Sequence, residues 1–189
     1  MLSFMVKKPL IANKFRAATV LVAIAAVGSF ASPVLAGAAP SGKSVSFSAQ
    51  FSGKASLLIE NSSVKISSVN GTGKSSLFGT SKVSGSGSAP KSSSSECDPF
   101  GGKGAITAGA NKLSFKVTQS SSQKGCANGY SGPVTVTFHG VAVATGGSGK
   151  GNGAAGSLKF SGTLHLGGTS GSQNGSFTVN LSGKLTVKS

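Results

Sequence analysis

The chain has 189 residues, with 18 Lys and Arg against 3 Asp and Glu, a formal net charge of +15 and 29 glycines. So few acids exclude most chemistry that works through paired carboxylates, glycoside hydrolysis among it, and two cysteines are too few for a zinc site built from paired thiolates. Glycine at this density weakens helices and leaves strands to carry a fold.

The chain opens with a basic stretch, Lys7, Lys8, Lys14 and Arg16. An uncharged apolar run at 17–30 follows, and Val34-Leu35-Ala36 offers small residues at a cleavage site. Residues 1–36 therefore read as a cleavable, helical export signal, cut before Gly37. The apolar run of 14 residues is shorter than the roughly 20 that a spanning helix needs, and Ser29, Ser32 and Pro33 interrupt it. No second such run follows. The expectation is one domain at 37–189, secreted, extracellular or periplasmic, with no transmembrane segment. Cleavage takes four of the 18 basic residues and leaves 14 lysines against three acids, a net charge of +11 with no arginine. Such a surface attracts acidic polymers. The missing arginines argue against specific nucleic-acid recognition, where the bidentate guanidinium is favoured.

From residue 44 onward apolar residues recur with period two, the signature of half-buried strands. The candidates are 44–51, 54–60, 63–70, 75–85, 103–108, 112–119, 133–145, 154–167 and 174–187. The first two join into one strand if Ser52-Gly53 is a bulge, which leaves eight. Turns are expected at Asn70-Gly71, Gly85-Ser86-Gly87, Gly109-Ala110-Asn111, Gly146 to Gly149, and from Gly167-Gly168 to Asn174-Gly175. Short strands at this spacing indicate a sandwich or barrel. Sequential strands usually pair, so an all-β, single antiparallel up-and-down barrel of about eight strands is the simplest closure.

The cysteines fit that topology. An exported chain with an even cysteine count implies one disulfide. Strands 103–108 and 112–119 form a hairpin turning near Gly109-Ala110, which returns Cys97 and Cys126 to the same end and within bridging range. Closing a loop of about 30 residues contributes roughly 3–4 kcal/mol by the chain-entropy estimate.

No catalytic constellation emerges. His139 and His165 read as strand-surface residues, Glu60 as the end of an apolar strand, and Glu96 and Asp98 flank Cys97 in a loop. Gly71-Thr72-Gly73-Lys74-Ser75 lacks the spacing and following helix of a phosphate loop and reads as a hairpin turn. The set with most promise is Phe47, Phe51, Phe115, Phe138, Phe160 and Phe177, all expected to point inward. An eight-stranded barrel is just wide enough to be filled by side chains or to hold one small ligand, and a filled core is the simpler expectation.

One segment carries a resemblance. Gly146-Gly147-Ser148-Gly149-Lys150-Gly151-Asn152-Gly153-Ala154-Ala155-Gly156-Ser157-Leu158 is similar to the Gly-rich turn of allene oxide cyclase-like and dirigent-like β-barrels. The likeness continues through Phe160-Ser161-Gly162-Thr163 and Gly175-Ser176-Phe177-Thr178-Val179. It departs at Gly151, where the pattern has an aromatic residue. The resemblance implies an eight-stranded barrel and, through relatives that bind apolar or phenolic molecules, a ligand in the lumen; of the inward-facing set, Phe47, Phe115, Phe138, Phe160 and Phe177 would then be its contacts. It carries over no catalytic residue, and no cofactor or metal is implied.

The leading expectation is an exported, non-enzymatic barrel whose lysine-rich exterior meets acidic cell-surface polymers. Two alternatives stand beside it: a barrel holding a small apolar ligand, as a carrier or cyclase-like, and a fibre subunit that donates the strand at 44–51 to a neighbour.

Overall fold

A computed structural model describes residues 42–91, 97–129 and 131–188. The segment 1–36 read as an export signal, its expected cleavage site and Glu96 lie outside the described residues. Ten strands follow in chain order: β1 Gly42–Ile59, β2 Ser63–Ser75, β3 Gly79–Pro90, β4 Cys97–Pro99, β5 Gly101–Ala108, β6 Asn111–Val117, β7 Lys124–Ala127, β8 Val134–Ser148, β9 Ala155–Leu166 and β10 Gly171–Lys188. Phe100 alone separates β4 from β5, and residues 118–123 separate β6 from β7. β6 and β7 lie along the same edge of β8, on its later and earlier residues respectively. β5 pairs with β6 and β4 with β7, so each interrupted pair takes one place in the wall.

The result is a closed, antiparallel, eight-position barrel in which neighbours in sequence are neighbours in space. β1 and β10 close it with an unbroken register from Gly42↔Lys188 to Ile59↔Gly171. The segment 44–51 is thus paired within the chain, and the free donor strand needed for exchange into a fibre is absent. The two strand candidates at 44–51 and 54–60 are one strand. No bulge lies at Ser52-Gly53; the extra residue sits in β2, between Ile66 and Val69, where the register slips by one and the Ser67 hydroxyl donates to the Ser56 carbonyl at 3.0 Å.

Several expected turns are strand interior. Asn70-Gly71 and the Gly71-to-Ser75 stretch belong to β2, Gly85-Ser86-Gly87 to β3, Gly146-Gly147 to β8 and Asn174-Gly175 to β10. Most of these glycines answer crowding within the sheet: a Cβ on Gly73 would lie 1.9 Å from the Gln50 carbonyl oxygen, whereas Gly146 has open space and a φ of +123°. The β2–β3 connection is instead 76–78. There the Phe78 amide donates to the buried Ser75 Oγ at 3.1 Å, and the buried Ser81 hydroxyl donates to the Gly79 carbonyl at 2.7 Å. A one-turn 3₁₀ helix, Gly149–Gly151, leads from β8 toward β9. No side chain fits at Gly151, whose Cβ position is 2.1 Å from the Lys112 carbonyl oxygen.

The six phenylalanines expected to point inward obey one rule: each stands directly opposite a glycine on a neighbouring strand. The pairs are Phe47↔Gly183, Gly53↔Phe177, Phe51↔Gly73, Gly104↔Phe115, Phe138↔Gly162 and Gly140↔Phe160. A ring leaning over a glycine covers backbone that would otherwise be bare, and such aromatic–glycine pairs pin register.

Candidate functional site: a hollow half-barrel

The interior divides into two ends. At one, where the β2–β3, β5–β6 and β8–β9 connections lie, Phe47, Phe51, Ile106, Leu113, Leu158 and Leu185 are each at most 2% exposed and fill the lumen. Toward the other end lies a cavity of about 510 Å³. The expectation of a filled core therefore holds for only part of the barrel.

The cause is visible in one register. β3 and β5 face inward with Val83↔Ile106 at the packed end; the next inward pairs are Gly85↔Gly104 and Gly87↔Gly102. Two neighbouring strands thus stop supplying side chains at the same level, and the cavity opens against their backbone. A Cβ cannot simply be restored there, because at Gly102 it would lie 2.5 Å from the Ser86 carbonyl oxygen. The opposite walls are apolar, among them Leu57, Val136, Leu164 and Val179.

Aromatic rings define the depth of the site. Phe100, Phe138 and Phe160 form a triangle with centroids 5.8–6.4 Å apart, one contact edge-on at 85°. Phe115, Phe138 and Phe160 lean over their glycines so closely that ring carbons lie 2.6–2.8 Å from where a Cβ would stand on Gly104, Gly162 and Gly140. Of the sequence candidates, Phe115, Phe138, Phe160 and Phe177 line the cavity. Phe47 does not. It sits at the packed end, 2% exposed, because it lies eight residues before Ala55, the first residue of β1 to reach the hollow.

Phe100 is not among the sequence candidates, since it falls between the loop placed around Cys97 and the strand candidate that begins at 103. Its signal was the alternation Phe100, Gly102, Gly104, Ile106, which places it on the inward face of an extended β5. Its amide donates to the Gln123 carbonyl at 3.2 Å. Gln123, 6% exposed, plugs the break between β6 and β7. Its amide group donates to the Val141 carbonyl at 3.4 Å, and its side-chain oxygen accepts from Ser120 and Ser122.

The rim is polar. The β3–β5 ladder ends at Ser88↔Gly101. Continuing it would set Pro90 against Pro99, neither of which has an N–H to donate. A seam therefore opens between β3 and β4 beside the cavity, with Pro90, Lys91 and Asp98 on its edges. The disulfide lies next to it: Cys97 and Cys126 are direct partners across β4–β7, with Cα atoms 4.0 Å apart. Lys91 runs across the mouth and donates to the Thr169 carbonyl at 3.1 Å, in the β9–β10 connection on the far side of the barrel.

The remaining sequence candidates lie elsewhere. His139 and His165 are exposed on the outer face, and His165 shares a hydrogen bond of 2.9 Å with Thr135. Glu60 closes the β1–β2 turn by accepting from the Ser63 hydroxyl at 2.8 Å. Among the described residues no three His, Cys, Asp or Glu side chains gather to hold a metal ion. No described helix is long and apolar enough to cross a membrane. Comparison with protein-family models, curated proteins and solved structures found no match.

Proposed function

We propose that this protein is an exported carrier that holds one small, largely apolar molecule in the hollow half of its barrel. The observation that carries the reading is the 510 Å³ cavity walled mainly by aliphatic, aromatic and glycine residues, with Lys91, Asp98 and Thr169 at its rim. Cavities of this size bury a drug-sized molecule, and a few placed polar groups orient it. The body of the ligand packs against Phe100, Phe138 and Phe160, and a polar end reaches Lys91, Asp98 or the Thr169 carbonyl. The disulfide and the signal-like N-terminal sequence support export, and the likeness to allene oxide cyclase-like and dirigent-like barrels supports a lumen ligand. Below the rim the cavity-lining positions are apolar or glycine except for Ser84, Ser86 and Lys103 on the β3–β5 wall, and so sparse a set of polar groups favours holding over chemistry.

Native mass spectrometry on protein purified from its producing cells tests this. The expected result is a one-to-one adduct of a few hundred daltons, or saturable one-to-one uptake of the neutral probe N-phenyl-1-naphthylamine by the unloaded protein. Substituting Val136→Trp, to fill the cavity, should abolish uptake while leaving the thermal transition in place. Failure of the wild type to take up any apolar probe, or uptake undiminished in Val136→Trp, would refute it.

A further inference from the structure

The outer wall carries a second feature, set against the same thin glycine wall that bounds the hollow, with Ser86 and Lys103 bordering both. Strand lysines are spread around the barrel, and with one exception each stands opposite residues without fixed charge, as in Gln50↔Lys74, Lys82↔Thr107, Lys54↔Ser176 and Ser182↔Lys159. The exception is Lys103↔Lys116, direct partners across β5–β6 and both exposed. Like charges directly opposite one another destabilise a sheet. The two lysines line a shallow depression with Lys65, Ser67, Ser86 and Ser88, floored by the glycines that thin this part of the wall. No carboxylate lines it, and of the few acids in the chain Glu60 is taken up by Ser63.

We infer that this depression is a binding site for an acidic polysaccharide, whose carboxylates sit between Lys103 and Lys116. Lys65, Lys103 and Lys116 belong to strands three intervals apart around the wall, a span of about 14 Å at the usual strand spacing, so the site suits an extended chain laid across the strands. The chemistry favours a sugar polymer over a nucleic acid. The ammonium is a point charge without the bidentate fork that phosphate recognition prefers. No ring is free to stack on a base, because Phe115, the one aromatic lining the depression, leans over Gly104. The three serine hydroxyls can exchange hydrogen bonds with sugar hydroxyls. An anion between the facing lysines offsets their repulsion, so occupation stabilises the sheet where it is otherwise weakened.

The test compares two double variants with the same loss of charge, Lys103→Ser with Lys116→Ser, and Lys54→Ser with Lys184→Ser on β1 and β10. Binding of polygalacturonate is measured by titration calorimetry at about 0.15 M salt, where distant surface charges are screened. The first variant should bind about thirtyfold more weakly, from roughly two lysine–anion contacts, and the second less than about threefold. Without polymer, Lys116→Ser alone should melt at or above the wild-type temperature, which also shows that lost binding is not lost folding. Equal losses in both double variants would reduce the site to diffuse charge and overturn the inference. So would absence of wild-type binding, or tighter binding of single-stranded DNA of equal charge through the same two lysines.

Discussion

Leu158 and Leu164 stand on the same face of β9, six residues and about 20 Å apart, and meet different interiors. Leu158 is fully buried, with 0% of its surface exposed. Leu164 is half-buried and borders the cavity. The strand, the pleat and the neighbours in the sheet are the same for both, so barrel diameter does not explain the difference. What differs is the far wall, where β3 and β5 supply Val83 and Ile106 at one level and only glycines at the next. The hollow is a matter of which residues meet at one height, and two strands suffice to make it.

The largest effect expected from breaking this asymmetry comes at the disulfide, because β4 and β7 are the least supported part of the wall. β4 pairs only with β7, over three residues. Replacing Cys97 and Cys126 by serine should lower the unfolding free energy by roughly 3–4 kcal/mol, or about 10 °C in the thermal transition of a domain this size. Amide exchange should localise the damage: β4, β7 and the rim lose protection, while β1 and β10 at the packed end keep theirs. Uniform loss of protection would mean that the two ends are a single cooperative unit.

The two leucines give the sharpest test of packing. Leu158→Ala should cost about 3 kcal/mol in urea unfolding, the usual penalty for a cavity in a well-filled core, and Leu164→Ala about 1 kcal/mol, since one side of it already faces a void. Equal costs would show that the cavity is closed in solution. The reverse substitution sharpens the same contrast on β1. Ala49 is buried at the packed end and Ala55 lines the hollow. Ala49→Leu should destabilise by about 1–3 kcal/mol through overpacking, whereas Ala55→Leu should be neutral or stabilise by up to about 1 kcal/mol and weaken uptake of N-phenyl-1-naphthylamine.

How much of this was legible differs between the ends. Period-two alternation in 112–119 and 174–187 placed the inward faces of β6 and β10, and the hairpin around Gly109-Ala110 brought the cysteines together. The glycines misled. A Gly-rich triplet such as Gly85-Ser86-Gly87 reads alike whether it turns the chain or lines a crowded strand, and in this barrel it lines β3. The cavity was hidden for a related reason. Gly85 and Gly87 hollow the lumen only because Gly104 and Gly102 lie opposite them, a coincidence of register between strands that no local pattern announces. Phe100 went unseen because the strand candidate began at 103, after Gly101-Gly102, whereas β5 begins at Gly101. The Phe–Gly pairing was the one long-range signal present throughout, since six inward rings and six glycines had to be matched across strands.

The smallest expected effect on stability falls at the mouth. Lys91 contributes one partly exposed hydrogen bond to the Thr169 carbonyl, so Lys91→Ala should change the unfolding free energy by less than about 1 kcal/mol. Its effect on exchange should be plainer. A side chain that spans the opening must swing aside both for uptake and for release, and its removal speeds the two together. Stopped-flow measurements with N-phenyl-1-naphthylamine should show both rates rising, by about two- to tenfold for the loss of one such bond, with the equilibrium constant nearly unchanged. A probe carrying a carboxylate, such as a long-chain fatty acid, separates this from direct recognition. If the ammonium binds the polar end of the ligand, affinity for that probe falls in Lys91→Ala through faster release alone, while the neutral probe is unaffected. The packed end should register neither change, and an altered transition in Leu158→Ala on adding Lys91→Ala would show that the mouth and the core are coupled along the wall.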